Sequence, residues 1–210
     1  MSERPRVICH MMSSLDGGLH PSHYTESPVG AKKEWDAAYE AVHETLGGDA
    51  WLVGRVTMAE MAKGEPHPPS DHASIERPIH IANRGAERYA IAVDPSAKLH
   101  FRKADINGDA VIVLLGSEVL DAHLAELASD GISYVVAGDR QIDLFESLKT
   151  LRAEFGIERL LLEGGGGING SFFAAGLVDE LSLIVAPTLV GRINEQGFVA
   201  YGDEGLKGRV

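Results

Sequence analysis

An α/β fold, a sheet flanked by helices on both faces, is what this sequence predicts, and three observations predict it. From Ala110 to Ala186, apolar runs of strand length alternate with helix-period segments. Ile157 to Pro187 reads as strand, glycine loop, short helix and strand, and the chain between Glu163 and Leu181 is long enough for a parallel crossover. No repeat or linker divides the 210 residues, and a 44% hydrophobic content suits one packed core, so a single domain over residues 1–210 is expected.

In chain order, Arg6–Met12 reads as the first strand, followed by Ser13-Ser14-Leu15-Asp16-Gly17-Gly18, which is either a polar turn or a loop with Ser14 and Asp16 facing a ligand. Ala31–Leu46 reads as an amphipathic helix with a stripe of Trp35, Ala38, Tyr39, Val42 and Leu46, ended by Gly47-Gly48. Ala50–Val53 is a strand, Thr57 starts a helix over Met58–Ala62, and Arg55 stands at the junction. Lys63–Arg77 is a Pro- and Gly-rich loop. Pro78–Ala82 is a strand ending in Asn83-Arg84-Gly85, so Arg84 is a second arginine at a strand end. Tyr89–Val93, Ala110–Leu115 and Ile132–Ala137 are strands, and Val119–Ala128 is a helix. Asp143–Phe155 is a helix with a capping box at Asp143 and Glu146.

The glycine stretch carries the chemistry. Ile157–Leu162 is too short for a stable helix and reads as a buried strand with Glu163 at its end. Gly164, Gly165, Gly166 and Gly167 then let a group approach the main chain closely, and Asn169 is placed as N-cap of a helix that stops at Gly176. Backbone N–H groups at such a helix start form an anion site. Gly165-x-Gly167-x-x-Gly170 fits the dinucleotide fingerprint by letter, but the next strand ends Val185-Ala186-Pro187 without the acidic residue that holds a ribose. No Gly-Lys-Ser/Thr follows, which excludes a nucleoside-triphosphatase loop.

Composition narrows the function classes. A net charge of -12 argues against nucleic acid and anionic membranes, so an anionic cofactor needs locally placed arginines, and Arg55 and Arg84 are placed to form such a clamp. No run reaches the length of a membrane span, MSERPRVICHMM lacks a signal-peptide core, and the single cysteine, Cys9, fits a reducing cytoplasm. The His20/His23 pair, His67 and His72 lack the companions of a metal site, and no metal is expected.

Three blocks now carry a resemblance. They are Ser14-Leu15-Asp16-Gly17, Asp49-Ala50-Trp51-Leu52-Val53-Gly54-Arg55-Val56-Thr57, and Leu162-Glu163-Gly164-Gly165 through Gly176-Leu177-Val178-Asp179-Glu180-Leu181 to Ala186-Pro187-Thr188-Leu189-Val190-Gly191. In this order the chain resembles the dihydrofolate-reductase-like family, and within it the reductase domain of bacterial riboflavin-biosynthesis deaminase/reductases in a stand-alone form. The resemblance implies a mixed, mostly parallel eight-stranded sheet flanked by helices on both faces, NADPH as hydride donor and a homodimer.

The activity it implies is that of a 5-amino-6-(5-phosphoribosylamino)uracil reductase, with another pteridine, carbonyl or imine substrate, or a non-catalytic nucleotide-binding module, as alternatives. By the resemblance Gly54, Arg55 and Thr57 hold the cofactor, Arg84 beside Asn83 reads its 2′-phosphate, and Gly164–Gly167 with Asn169 hold its diphosphate. Glu163 and Ser14 line the substrate pocket and Asp16 belongs to the loop that closes over it. Glu163 is the leading proton donor, with His10 and Asp16 in support. The family's lysine on the first strand is replaced by His10, its arginine pair after the first helix is replaced by His43 and Thr45, and its fold continues into a last strand pair.

Overall fold

The computed structural model describes residues 2–69 and 75–208. His72, read above as a loop histidine, lies outside them, as do Arg209 and Val210. In chain order the elements are β1 Arg6–Ser14, α1 Lys32–Leu46, β2 Ala50–Gly54, α2 Arg55–Ala62, β3 Ile79–His80, β4 Tyr89–Asp94, β5 Asp105–Ile106, β6 Asp109–Leu115, α3 Asp121–Ser129, β7 Ser133–Val136, α4 Leu144–Phe155, β8 Arg159–Gly164, α5 Gly166–Ala174 and β9 Glu180–Ala186, with a 3-10 turn at Pro21–His23. They form two compact units, Met1–Pro5 with Asp49–Glu158, and Arg6–Gly48 with Arg159–Val210.

In the unit containing Asp49–Glu158, strands run in the order β3-β7-β6-β4-β2, with β5 on β6. The pairs β2/β4, β4/β6 and β6/β7 are parallel, while β3 and β5 add antiparallel edges. Every residue of β4 is buried, as is β6 after Asp109, the continuous burial of a parallel strand covered on both faces. Two polar groups pin the frame. Trp51 Nε1 donates to Asp109 Oδ2 at 2.7 Å, and buried Asp94 Oδ2 accepts from the N–H groups of Lys98 and Leu99 at 2.6 and 2.8 Å. Asp143 caps α4 as expected, accepting from Glu146 N at 3.0 Å, but the Glu146 carboxylate accepts from Lys149 Nζ at 3.1 Å, so the reciprocal half of the expected capping box is replaced by an ion pair. The strand expected over Pro78–Ala82 shortens to β3, because Ala82 N turns to the Ser133 hydroxyl. The α2 helix starts at Arg55 rather than near Thr57, with Gly54 as N-cap. The two-residue β5 is too short to leave a periodic signal.

In the other unit β1 is central, parallel to β8 on one side and β9 on the other. All residues of β1 after Arg6 are buried. Asp179 sets the strand register: its carboxylate accepts from Val7 N at 2.8 Å and its N–H donates to Val7 O at 2.9 Å. The α1 helix keeps its expected ends, but Ala38 is exposed and His43 takes its place on the inward stripe. No named strand follows β9 among the described residues. Instead residues 196–200 lie against α5.

That packing reassigns the glycines. The N-cap of α5 is Gly165, at φ 77°, and not Asn169. Asn169 lies one turn inside the helix, fully buried, donating Nδ2–H to Phe198 O at 2.8 Å. A Cβ on Gly166 would sit 2.3 Å from Gly197 O, and one on Gly170 2.0 Å from Ala200 O, whereas one on Gly167 meets nothing within 4 Å.

The loop after β1 is tied just as tightly. Gly18 N donates to Ser14 Oγ at 2.8 Å, and Ser14 Oγ donates to Asp16 Oδ1 at 2.5 Å. Asp16 also accepts from Val190 N at 3.0 Å and Gly191 N at 2.7 Å. The Ser14 hydroxyl and then these two N–H groups hold its carboxyl down at about 2.

Two outcomes follow for stability. Gly170→Ala should destabilise the protein by about 2 kcal/mol in urea titration, because overpacking against main chain outweighs the ~1 kcal/mol helix gain of alanine, while Gly167→Ala should be neutral or stabilising. For Asp16 the folded value lies below the unfolded one, so its contribution is complete above pH ~4 and is lost as pH falls through about 2. The difference in urea midpoint between wild type and Asp16→Asn should therefore stay constant above pH ~4 and close toward pH 2.

Candidate active site

Elementary electrostatics picks out one place in the unit built on β1, β8 and β9. Glu163 lies next to last in β8, with 10% of its side chain exposed, and a carboxylate so enclosed needs a partner. His43 supplies it: Nδ1 lies 2.7 Å from Glu163 Oε1, with 11% of the imidazole exposed. One helical turn earlier on the same face stands Tyr39, whose ring stacks on His10 with centroids 4.3 Å apart and planes 20° from parallel. His10 is fully buried, with Nδ1 3.1 Å from Ser182 Oγ and Nε2 3.3 Å from Tyr39 O. The Tyr39 hydroxyl donates to His10 O at 3.3 Å.

Burial and then the Glu163 charge push the Cys9 thiol up to about 12, and the same two causes, in that order, push the Tyr39 phenol far above its usual range. Both groups therefore keep their protons at neutral pH. The His43 imidazole reaches the Glu163 carboxylate directly. A recess of about 240 Å³ opens beside Tyr39, lined by Met11, Met12, Leu19, Pro21, Asp36 and Glu40.

The structure thus brings Glu163 and His10 into one buried network, joined by His43, Tyr39 and Ser182. None of those three was assigned a role from the sequence, although the i, i+4 spacing of Tyr39 and His43 was there to be read. Ser14 and Asp16 are spent on tying their own loop, and an Asp16 carboxyl held at about 2 cannot act as an acid at neutral pH. At the start of α5 the first-turn N–H groups have no carbonyl partner within the helix, and a Cβ on Gly167 would meet nothing within 4 Å, while Gly166 is backed by the 196–200 segment and the Asn169 side chain turns to Phe198.

In the other unit Gly54 caps α2, and Arg55 and Thr57 lie in its first turn. Arg84 donates Nη1–H to Glu154 O at 2.9 Å and has its Nη2 3.5 Å from the Glu154 carboxylate, with 64% of its side chain exposed. The Asn83 amide donates to Gly131 O at 2.9 Å, which makes it a loop anchor.

With this geometry in place the comparisons can be read. The sequence matches the family described as the RibD C-terminal domain over residues 5–207. The 2,5-diamino-6-ribosylamino-4(3H)-pyrimidinone 5′-phosphate reductase of Methanothermobacter thermautotrophicus is 31% identical, over 90% of this chain and 80% of that one. The protein of the same name from Aquifex aeolicus is 27% identical, over 98% and 86%. Among solved structures, a pyrimidine reductase-like protein from Corynebacterium diphtheriae superposes with a TM-score of 0.65 at 19% identity, over 95% of this chain and 81% of that one. Acinetobacter baumannii RibD gives 0.65 at 23% identity, and the chain spans about half, 52%, of its length. These likenesses bear out the mixed, mostly parallel α/β fold. The match over residues 5–207 and the archaeal relative together place the chain in the RibD C-terminal domain family, whose relatives named here are reductases.

Proposed function

We propose that the chain is an NADPH-dependent reductase of a ribosylaminopyrimidine 5′-phosphate, opening the ribosyl ring and reducing C1′ to give a ribitylamino product. The observation that carries this reading is the enclosed His43–Glu163 pair, 2.7 Å apart, immediately before the glycine loop. Within the substrate class, the diaminopyrimidinone named for the relatives is favoured over the aminouracil. One family match covers both compact units, which supports reading them as parts of a single reductase domain.

The residues present fit a dinucleotide diphosphate. Gly165 is the N-cap of α5 and the space over Gly167 is open, so an anion can approach the helix-start N–H groups there. We assign the diphosphate to this loop, and the remaining cofactor contacts to Gly54, Arg55, Thr57 and Arg84. When bound, the reduced nicotinamide supplies the hydride.

The chain's own part is the proton. Ring opening breaks C1′–O4′, forms C1′=N and moves the nitrogen's proton to O4′; hydride at C1′ then requires one proton on nitrogen. Glu163 delivers it, and His43 holds the carboxyl group in place and takes up the change of charge. His10 and Tyr39, stacked on each other with His10 bonded to Ser182, wall off the pair from water and orient α1.

A second reading has one specific observation behind it. His43 stands where the resemblance places a phosphate-binding arginine, and it is already committed to Glu163. On this reading the substrate is a related heterocycle without the phosphate. Following NADPH oxidation at 340 nm with the phosphate ester and its dephosphorylated form separates the two. A preference for the ester of about tenfold or more supports the first, as expected for one charge-assisted contact, and equal rates support the second.

We further propose that the protein works in the cytoplasm as a homodimer. No helix among the described residues is long and apolar enough to cross a membrane, and the free Cys9 is buried. Strand β9 ends its sheet, and Leu181 and Val185 on one of its faces are each 48% exposed.

Glu163→Gln should lower kcat by about 100-fold or more while changing the NADPH dissociation constant less than roughly threefold. Arg84→Ala should weaken NADPH by about 10- to 100-fold in fluorescence titration and leave NADH nearly unchanged; equal losses would remove Arg84 from the 2′-phosphate. Leu181→Asp with Val185→Asp should shift the species seen by analytical ultracentrifugation from dimer to monomer.

A further inference from the structure

A second cluster of titratable side chains lies in the unit containing Asp49–Glu158, and the reductase chemistry does not use it. On one face of α3 stand His123, Glu126 and Asp130, at i, i+3 and i+7. The segment after β4 brings His100, whose Nδ1 is 2.5 Å from Glu126 Oε1. The His100 and His123 rings meet edge to face with centroids 5.2 Å apart. The loop after α2 brings His67, with Nε2 3.1 Å from Asp130 Oδ2 and 3.9 Å from Glu126 Oε1.

This convergence is built into the backbone. Lys63 bridges Phe101, Gly64 N donates to His100 O at 3.2 Å, and a Cβ on Gly64 would meet the His100 carbonyl carbon at 2.2 Å. Only glycine lets the loop close so tightly over His100.

A hydrogen-bonded pair of His100 and Glu126 accounts for two of these groups and leaves the third unexplained. His123 is 9% exposed, and its Nε2 is buried without a hydrogen-bond partner among the described residues. A buried imidazole nitrogen with no proton acceptor or donor of its own, on a ring that neighbours a histidine and a carboxylate, is costly unless something else occupies it.

We propose that His100, His123 and Glu126 bind a divalent transition-metal ion of the zinc class. One ligand atom from each lies within 4.8 Å of the other two. Tetrahedral zinc with bonds of ~2.0–2.1 Å separates its ligand atoms by about 3.3 Å, so the His100–Glu126 contact opens by under ~1 Å and His123 draws in. Two imidazoles and one carboxylate are a borderline-soft donor set, suited to zinc rather than to calcium or magnesium.

The fourth position is left to water, because His67, beside the site, has its Nε2 3.1 Å from Asp130 Oδ2 and its Nδ1 3.1 Å from Pro68 O. The bound ion fastens residues 98–101 to α3. The site is independent of the reductase reading and stands if that reading fails.

The test uses the full chain, stripped with a chelator and dialysed against buffered Zn²⁺, with bound metal counted by mass spectrometry and the melting temperature measured in parallel. One equivalent should be retained at micromolar free zinc, with a rise in melting temperature of about 5 °C, and Co²⁺ should give the absorption bands of a tetrahedral site. His123→Ala should weaken binding by about 100-fold. His100→Gln, a milder change at a partly exposed position, should do the same if His123→Ala does not fold. His20→Ala with His23→Ala, which removes the other histidine pair, should leave the stoichiometry unchanged. No retained metal, undiminished binding in the α3-cluster variants, or loss of binding in the His20/His23 variant would each overturn the proposal.

Discussion

A nearly enclosed carboxylate is the constraint around which the β1–β8–β9 unit is organised. Glu163 must sit at the end of a buried parallel strand if it is to stand beside the glycine loop, and there it has too little water to solvate it. The cost is met by His43 from α1, and that single requirement decides which face of the helix turns inward. With His43 inward, Tyr39 comes to lie one turn away, stacked on His10, and His10 reaches Ser182. The site's polar groups therefore form a connected network, in which each member is positioned by the one before it. Burial first, and the Glu163 charge second, raise the Cys9 thiol and the Tyr39 phenol, so the enclosure that Glu163 shares with them also bears on their protonation.

The loops of this unit obey a different logic, that of main-chain satisfaction. Asp16 lies in the block that resembles a substrate-closing loop, yet its carboxylate is occupied by Ser14 and by the Val190 and Gly191 N–H groups. It acts as a tie that holds the end of β1 to the turn after β9. Gly166 and Gly170 likewise serve the close approach of residues 196–200, whereas the space over Gly167 is open. A stretch that looks uniform in sequence thus divides its work residue by residue.

The unit containing Asp49–Glu158 shows how differently a histidine–carboxylate pair behaves when more imidazoles surround it. At Glu163 one histidine suffices, and the proton relay proposed there rests on that pair. At Glu126 two further histidines and Asp130 converge, and the buried His123 Nε2 is left without a partner among the described residues. That surplus of donor atoms is what the proposed cation site rests on.

The alternation of strands and helices, the Asp143 cap, the Gly47 stop and the special character of residues 163–167 were all legible in the sequence, because each rests on local periodicity or on a residue type with a local conformational preference. The resemblance of three short blocks carried the family, as the match over residues 5–207 bears out. Other features required the tertiary structure: His43 as the partner of Glu163, the use of Asn169 and Gly170 to seat residues 196–200, the occupation of Asp16, and the meeting of His67, His100 and His123. These pairs are separated by tens to more than a hundred residues. A burial cost has no local signature, and the partner that relieves it is chosen by where the folded chain returns.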